Sequence, residues 1–222
     1  MKLAIISTFK NISDLKAFIH LNNAFMMENK KYAHCYATLS VETVKDKVPI
    51  WMSLTSMKDN SYSEGWNNVI DIYFQEIKGY SKICFIGNGD KLLGKLSNLN
   101  IENNLVCVCN MYRDGEFLIN KFNSQFLWIF SIGVWTPSIL WPARFFITYR
   151  FPTEFKIASD IDLFLSHKEE LNEVAYLNYS IVDMASGGIS SNNKGIYEYY
   201  KIASKYYPKW LSYFAYLIKK IR

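Results

Sequence analysis

The segment from residue 66 to residue 90 constrains the fold of this chain most strongly, because a helix pattern runs directly into a strand pattern. In "WNNVIDIYFQEIKGY" apolar residues recur at the i, i+3, i+4, i+7, i+8 and i+11 positions of one helix face. Gly79 ends this pattern, "KICFIG" follows as a buried strand, and the glycine-rich loop "GNGD" comes next. The segment therefore predicts the helix, strand and loop succession of α/β proteins.

The N-terminal part of the chain continues the alternation of strands and helices. "LAIIS" (3–7) is typical of a buried strand, Ser13 or Asp14 is the predicted cap of a helix that runs to Met27, and "YAHCYATLS" (32–40) is typical of a second strand. We expect an α/β fold with a mainly parallel central sheet flanked by helices. Ligands of such sheets bind beyond the carboxyl ends of the strands, where the "GNGD" loop begins.

The composition is that of a folded protein and excludes several functional classes. Half of the 222 residues are apolar and 17% are aromatic, which excludes intrinsic disorder. "MKLAIISTFKNISD" has too short an apolar run for a secretory signal, so a cytoplasmic location is expected. No Walker loop, dinucleotide fingerprint or nucleophile-elbow motif occurs. The four cysteines have no metal ligands at suitable spacing and are predicted to be buried thiols.

One apolar segment, residues 126–147, is long enough to cross a bilayer. It contains Gly133, Pro137, Pro142 and Arg144, which favour buried strands and loops of a soluble domain instead.

The positive charge of the chain belongs to its C-terminal part. Residues 194–222 contain seven Lys or Arg and one Glu, whereas the whole chain has a net charge of only +5. A nucleic-acid surface spread over the domain is therefore not expected. We predict a domain at 1–193 and a basic aromatic tail at 194–222, whose "PKWLSYFAYLIKKIR" forms an amphipathic helix. Such a helix binds the interface of an anionic membrane, on the inner face of the cytoplasmic membrane, or it docks on the domain or a partner subunit.

Three short stretches could carry chemistry, and each has a structural alternative. Asn88 and Asp90 of "GNGD" could hold a divalent cation that bridges two phosphates, or they could form a simple turn. In "IASDIDLFL", Asp160 could act as a general base at a helix start. Alternatively, Ser159 caps the helix and Asp160 and Asp162 only complement its dipole. The stretch "SGGISSNN" (186–193) is either a surface turn or a lid over phosphates.

Four stretches, which follow one another along the chain as they do in the family, resemble the short bacterial enzymes of glycosyltransferase family 2, which have the GT-A fold. The likeness is greatest to the enzymes of colanic-acid, capsule and O-antigen type. "FPTEFKIASDIDLFLSH" and "SGGISS" carry the strongest likeness. "SMKDNSYSEGWNNVIDIYFQEIKGYSKICFIGNGDKL" and "IISTFKNISDL" are similar to the middle and the start of the family pattern. The chain departs from it in "ATLSVETVKD", which lacks the usual aspartate, in "SEGWN", and in Asn88, which replaces the first residue of Asp-x-Asp.

The resemblance implies an inverting transfer of a sugar from a nucleotide-sugar donor to a glycan or lipid-linked acceptor in surface polysaccharide synthesis. It implies Asp160 as the base that deprotonates the acceptor and Asp90 as a ligand of Mg²⁺ or Mn²⁺. The donor-binding residues that it implies are Thr8, Asn11, Asp59, Glu64, Asn67, Asn88, Gly187, Gly188, Ser190 and Ser191. Arg144 is a weaker candidate for a phosphate or acceptor contact. The departures leave a second interpretation open, a GT-A-like binding or scaffold protein at the membrane surface without catalysis.

Overall fold

The structure is a computed structural model that describes most of the chain. The described residues are 1–40, 47–57, 61–99, 101, 104–119, 135–167, 169, 174–186 and 193–221.

Within these ranges nine strands form one sheet. They are β1 (Leu3–Phe9), β2 (Ala33–Leu39), β3 (Met52–Ser56), β4 (Lys82–Phe85), β5 (Lys91–Leu92), β6 (Val106–Arg113), β7 (Glu116–Leu118), β8 (Ile139–Pro142) and β9 (Val174–Met184). The order across the sheet is β3-β2-β1-β4-β8-β6-β9-β5, and β7 pairs with β6 beside this path.

Most of the strands run in one direction, which confirms the predicted sheet. β1 is parallel to β2 and β4, and β2 is parallel to β3. Both β4 and β6 are antiparallel to β8, so they share one direction, and β9 is parallel to β6. The carboxyl ends of β1, β2, β3, β4, β6 and β9 therefore lie along the same side of the sheet, which we call the carboxyl edge.

Helices cover both faces of this sheet. They are α1 (Ile12–Glu28), α2 (Tyr62–Ile72), α3 (Phe74–Ile77), α4 (Phe145–Thr148), α5 (Ser159–Ser166), α6 (Asn193–Tyr206) and α7 (Lys209–Ile221). Successive residues of a strand point to opposite faces. Accordingly, Ile5 of β1 belongs to the same apolar cluster as Phe18 of α1, whereas Ile6 belongs to the cluster of Ile70 in α2.

Helix boundaries differ in detail from the sequence prediction. The cap of α1 is Asn11, whose side-chain oxygen accepts a hydrogen bond from the N–H of Asp14 at 2.9 Å, and neither Ser13 nor Asp14 takes this place. Asparagine caps a helix as well as serine or aspartate, so residue preference alone does not distinguish Asn11 from Ser13 or Asp14. The helix predicted at 66–77 begins earlier, after the cap Ser61, and is divided at Tyr73 into α2 and α3.

The "GNGD" loop contains a simple turn, in which the N–H of Asp90 donates to the carbonyl of Gly87 at 3.3 Å. It is not a hairpin, because β5 after it pairs with β9 and not with β4. All four cysteines are free and buried, as predicted.

Within the apolar segment 126–147, residues 126–134 lie outside the described ranges, and the remainder includes the short strand β8 and the start of α4. None of the helices in the described ranges has the length and apolarity needed to span a membrane.

Candidate functional site

The carboxyl edge gathers most of the predicted site residues that the structure describes. Thr8 is buried near the end of β1, and Asn11 caps α1 directly after it. Glu64 lies in the first turn of α2, which follows β3 along the chain. Asn88 and Asp90 lie in the loop that leaves β4. The sheet therefore brings residues that are far apart in sequence to one side of the molecule.

Asp90 is a buried carboxylate that is held by backbone groups. Its side chain is 6% exposed, and its Oδ2 accepts a hydrogen bond from the N–H of Gly87 at 2.7 Å. Burial raises the pKa of Asp90, and backbone hydrogen bonds from Gly87 and Ala185 oppose this rise. The side-chain amide of Asn22 also donates to the carbonyl of Asp90 at 3.0 Å. The loop that carries Asp90 is thus fixed both to α1 and to the end of β9.

Two residues at this edge, Tyr62 and Lys10, were not found by sequence reasoning. Burial raises the pKa of Tyr62 at the start of α2, and the nearby carboxylates of Asp14 and Asp90 raise it further. The ammonium group of Lys10 lies 5.8 Å from the centre of the Tyr62 ring. The phenol of Tyr62 is therefore near the Asp90 carboxylate, and Lys10 lies beside the Tyr62 ring. Only the tertiary structure reveals this, because Lys10 and Tyr62 follow different strands.

Asp160 reaches the carboxyl edge through a short turn. Residues 136–138 form a single 3-10 turn before β8, and because β8 is antiparallel to β4, this turn lies at the carboxyl edge. The thiol of Cys84 in β4 donates to the carbonyl of Pro137 at 3.4 Å, which ties the turn to β4. The hydroxyl of Thr136 donates to Oδ2 of Asp160 in the first turn of α5. The carboxylate of Asp160 therefore faces the same edge as Asp90.

The start of α5 is bound by a distant residue, and the alternative in which Ser159 is the cap does not hold. Ser159 is the first helical residue, and the cap position belongs to Ala158, which has no side-chain hydrogen bond. Instead, Oε2 of Glu198 in α6 accepts hydrogen bonds from the N–H groups of Ile157 and Ala158, at 2.8 and 3.3 Å. A carboxylate at this position also complements the helix dipole. Its position far along the chain explains why local spacing did not reveal it.

The two aspartates of α5 have different surroundings. Asp162 is 3% exposed, and its Oδ1 accepts a hydrogen bond from the hydroxyl of Tyr206 at 2.7 Å. The ammonium nitrogen of Lys205 lies 3.5 Å from Oδ2 of Asp162. Asp160, in contrast, is partly exposed. Asp162 therefore joins α5 to α6, and Asp160 is the carboxylate that a ligand can reach.

Two further predicted donor-binding residues already make structural contacts. The side-chain amide of Asn67 donates to the carbonyl of Phe151 at 2.8 Å and accepts from its N–H at 2.9 Å. Glu64 accepts a hydrogen bond from Ser61, the cap of its own helix, at 3.0 Å. Asn67 thus fixes the chain before α5 to α2. Ser61 caps α2 by accepting from the N–H of Glu64 at 3.2 Å, and its hydroxyl holds the Glu64 carboxylate.

A cleft of about 600 Å³ opens beside this edge, next to the β6–β7 hairpin. Asp114 and Gly115 form the turn of the hairpin, and both have the positive φ angles of 50° and 81° that such a turn requires. Oδ1 of Asp114 accepts a hydrogen bond at 3.0 Å from the N–H of Ser186, the first residue of the stretch 186–193. The cleft is lined by Leu93, Gly94, Tyr112, Gly115, Phe117, Asn178, Tyr179, Ser180 and Asp183. Aromatic faces together with amide, hydroxyl and carboxylate groups can bind a sugar ring.

The residues at the carboxyl edge fit a metal site that has one protein carboxylate. Within the described ranges, no three His, Cys, Asp or Glu side chains are close enough to hold a metal together. Mg²⁺ is commonly bound by one or two carboxylates together with phosphate oxygens and water. Asp90, with Asn88 two residues before it, offers this smaller set of ligands. Any divalent cation here would depend on a bound diphosphate for most of its ligands.

Some of the predicted residues are not described by the structure, and one described candidate lies elsewhere. Asp59, Gly187, Gly188, Ser190 and Ser191 lie outside the described residues, as does part of "ATLSVETVKD" at 41–46. Arg144 is described, but it follows Pro142, which pairs with Lys82 at the amino end of β4. Arg144 therefore lies on the opposite side of the sheet, where its guanidinium donates to the carbonyl of Asn104 at 3.5 Å. A phosphate at the carboxyl edge is beyond its reach.

The fold is similar to that of S. aureus TarS. The structure of TarS 1–349 in complex with UDP has a TM-score of 0.66 and 12% identity, over 96% of this chain and 68% of that one. The complex of TarS 1–349 with UDP-GlcNAc has a TM-score of 0.65 and 13% identity, over 91% of this chain and 64% of that one.

A longer TarS structure gives a TM-score of 0.65 at 13% identity, and the match covers 92% of this chain but 39% of that one. No protein-family model and no curated protein sequence matches the chain. At this identity the likeness shows the fold alone, and it confirms the predicted GT-A-like α/β domain with C-terminal helices.

Proposed function

We propose that this protein is an inverting glycosyltransferase that moves a sugar from a nucleotide-sugar donor to a glycan or lipid-linked acceptor in surface polysaccharide synthesis. The observation that carries the proposal is that two carboxylates distant along the chain, Asp90 and Asp160, both lie at the carboxyl edge. One carboxylate is buried in a loop at the end of β4, and the other stands at a helix start facing the same edge. A fold of this kind holds UDP and UDP-GlcNAc in the TarS structures, which supports a nucleotide-sugar donor.

Asp160 would act as the general base. It would take the proton of an acceptor hydroxyl, whose oxygen then forms a bond to the anomeric carbon of the donor sugar while the bond to the diphosphate breaks. The hydrogen bond from Thr136 fixes the orientation of the Asp160 carboxylate in the first turn of α5. An acceptor sugar in the cleft beside Asp183 would approach from the neighbouring side of the site.

The diphosphate leaving group would lie at the loop of Asp90. A bound Mg²⁺ or Mn²⁺ would supply charge neutralisation to the leaving diphosphate. Lys10 would supply a further positive charge beside the Tyr62 ring. Gly187, Gly188, Ser190 and Ser191 would close over the phosphates, and the hydrogen bond between Asp114 and Ser186 would anchor that segment on its N-terminal side.

The test compares wild type with Asp160→Asn, after a screen of UDP-, GDP- and dTDP-sugars has identified a donor that binds. We expect Asp160→Asn to lower the rate of transfer, or of donor hydrolysis, by about 10²–10⁴ because the general base is lost. Asp71→Asn is the matched control, since Asp71 is an exposed carboxylate paired with Arg150. Equal rates for wild type and Asp160→Asn, at equal melting temperatures, would exclude Asp160 as the base.

The second candidate function is a GT-A-like binding or scaffold protein without catalysis. Its support is the amide of Asn88 in place of a carboxylate and the engagement of Asn67 with the backbone of Phe151. Calorimetric titration with UDP-GlcNAc, with and without Mn²⁺, separates the two candidates. Binding that strengthens with Mn²⁺ favours the enzyme, and the absence of binding to every donor in the screen favours the scaffold.

A further inference from the structure

Helix α7 is attached to the protein by its less aromatic face. Leu211 and Ala215 are buried in one apolar cluster with Tyr199 and Ala203 of α6. Ser212, on the same side of α7, is also fully buried. Small side chains allow the two helices to pack closely. The contact with the body therefore uses one face of α7 and leaves the other to solvent.

The outer face of α7 carries a row of large apolar residues. They are Trp210, Tyr213, Phe214 and Leu217, which are 72%, 53%, 55% and 37% exposed. Their spacing of i, i+3, i+4 and i+7 places them side by side along the helix, and we call them the aromatic stripe. Isolated apolar residues on a surface are ordinary, but a contiguous row of this size marks an interaction site.

The charges around the aromatic stripe are positive. Lys209 and Lys220 are exposed and, by helical spacing, lie along one border of the stripe. Lys201 of α6 lies 4.9 Å from the ring centre of Tyr197, whose side chain is exposed beside α7. The single acidic residue in 194–222 is Glu198, and its carboxylate turns inward to the start of α5. This carboxylate is therefore already bound to backbone N–H groups at the start of α5.

We propose that the aromatic stripe of α7 inserts into the interface of an anionic lipid bilayer, with Lys209 and Lys220 at the level of the lipid headgroups. Amphipathic helices with aromatic and basic residues bind in the plane of such interfaces. α7 has 13 residues, whereas a helix needs about 20 to span the apolar core. The helix therefore lies along the surface.

Anionic lipid fits this face better than a second copy of the chain. Two stripes packed against each other would bring the lysines of both copies into one interface, where like charges repel. Anionic headgroups neutralise the same lysines, and each basic residue near such a surface adds to the attraction. Tryptophan and tyrosine also favour the boundary between headgroups and acyl chains over the apolar interior.

The attachment of α7 would hold the candidate site close to the membrane. α7 packs on α6, and α6 packs on α5 through Ile202, which shares an apolar cluster with Ala158 and Leu165. Asp160 lies in α5, so bilayer contact would set the position of this carboxylate relative to the membrane. The membrane surface itself does not depend on the proposed activity, and its test uses no sugar donor.

The test is co-sedimentation of the full chain with vesicles of phosphatidylcholine, with or without phosphatidylglycerol. We expect binding to the vesicles that contain phosphatidylglycerol, and a large decrease between about 0.05 M and about 0.5 M NaCl, because salt screens the attraction. Trp210→Ser/Phe214→Ser should weaken binding by at least about tenfold. Met27→Ser/Ile72→Ser is the matched control, since Met27 of α1 and Ile72 of α2 are 46% and 48% exposed and belong to neither the cleft nor α7.

A second pair of variants tests the charge and does not alter the apolar face. Lys209→Gln/Lys220→Gln should weaken binding to anionic vesicles by about tenfold, whereas Lys16→Gln/Lys30→Gln, at exposed lysines of α1 and the turn after it, should leave it unchanged. Equal sedimentation of wild type and the Trp210/Phe214 variant overturns the proposal, as does binding that is insensitive to salt. A wild-type dimer that dissociates in that variant, without any vesicle binding, also overturns it.

Discussion

At the carboxyl edge of the sheet polar groups are buried, and at the outer face of α7 apolar groups are exposed. Asp90 is 6% exposed and its carboxylate is bound by backbone N–H groups, whereas Trp210 is 72% exposed. In most of a folded protein the opposite holds, and therefore a buried charge or an exposed apolar row is informative. The buried charge costs folding free energy, whereas the exposed row gains nothing from folding. We propose that the partner of the first is a ligand and that the partner of the second is a membrane surface.

Among the variants that compare these two regions, Asp90→Asn should have the largest effect on ligand binding, because it removes the buried charge. We expect at least about a tenfold loss of Mn²⁺-dependent donor affinity, because a ligand of the cation is lost. We also expect an equal or higher melting temperature, since the amide keeps a hydrogen-bond acceptor without the cost of burying a charge. Calorimetry with a nucleotide sugar and thermal unfolding measure the two effects.

The pH dependence of this variant gives a second measurement. The pKa of Asp90 is raised in the folded protein by burial, so the folded state binds more protons than the unfolded chain just above the usual range of aspartate. Wild type should therefore lose stability relative to Asp90→Asn as the pH rises through this window, and should match it below. If Asp90→Asn were more stable than wild type only at low pH, the charge of Asp90 would not be a cost of folding. Asp71→Asn is the control.

The next largest effect should come from Glu198, which connects α6, on which α7 packs, to the start of α5. Glu198→Ala should lower the free energy of unfolding by about 1–2 kcal/mol, because the N–H groups of Ile157 and Ala158 lose their acceptor. The transfer rate should fall as well, since the start of α5 positions Asp160. Chemical denaturation and the transfer assay measure the two changes.

Glu198→Gln separates this role from a general loss of packing. Its side chain keeps an acceptor oxygen, so it should recover part of both the stability and the transfer rate. Glu154→Ala is the control, because the exposed pair of Glu154 and Lys205 contributes about 0–1 kcal/mol at most. Should Glu198→Ala be as stable as wild type, the capping role would be wrong.

Substitutions in the aromatic stripe should have the smallest effect on the free energy of unfolding. Trp210→Ser/Phe214→Ser should change the free energy of unfolding by no more than about 0.5 kcal/mol, because the side chains are exposed. Leu211→Ala, on the inward face of α7, should cost about 2–4 kcal/mol. Chemical denaturation of both variants compares the two faces directly, and equal losses would mean that the stripe packs on the protein.

The candidate site was only partly predictable from the sequence. The likeness to family 2 singled out Asp160 and Asp90, and both face the carboxyl edge. Glu198, Thr136, Lys10 and Tyr62 were missed, because each acts on a residue that is distant along the chain. Arg144 was misplaced for a related reason, since the direction of β8 sends it to the opposite side of the sheet.

The sequence by itself determined the types of elements and the inner and outer faces of its clearest helices. Periodicity is a local property, and each strand or helix must bury its own apolar face. Only the tertiary structure decided which of two neighbouring aspartates is accessible, what caps α5, and which face of α7 is left without a partner. These outcomes depend on contacts between segments far apart in sequence, and strand order and direction, which no local pattern encodes, bring those segments together.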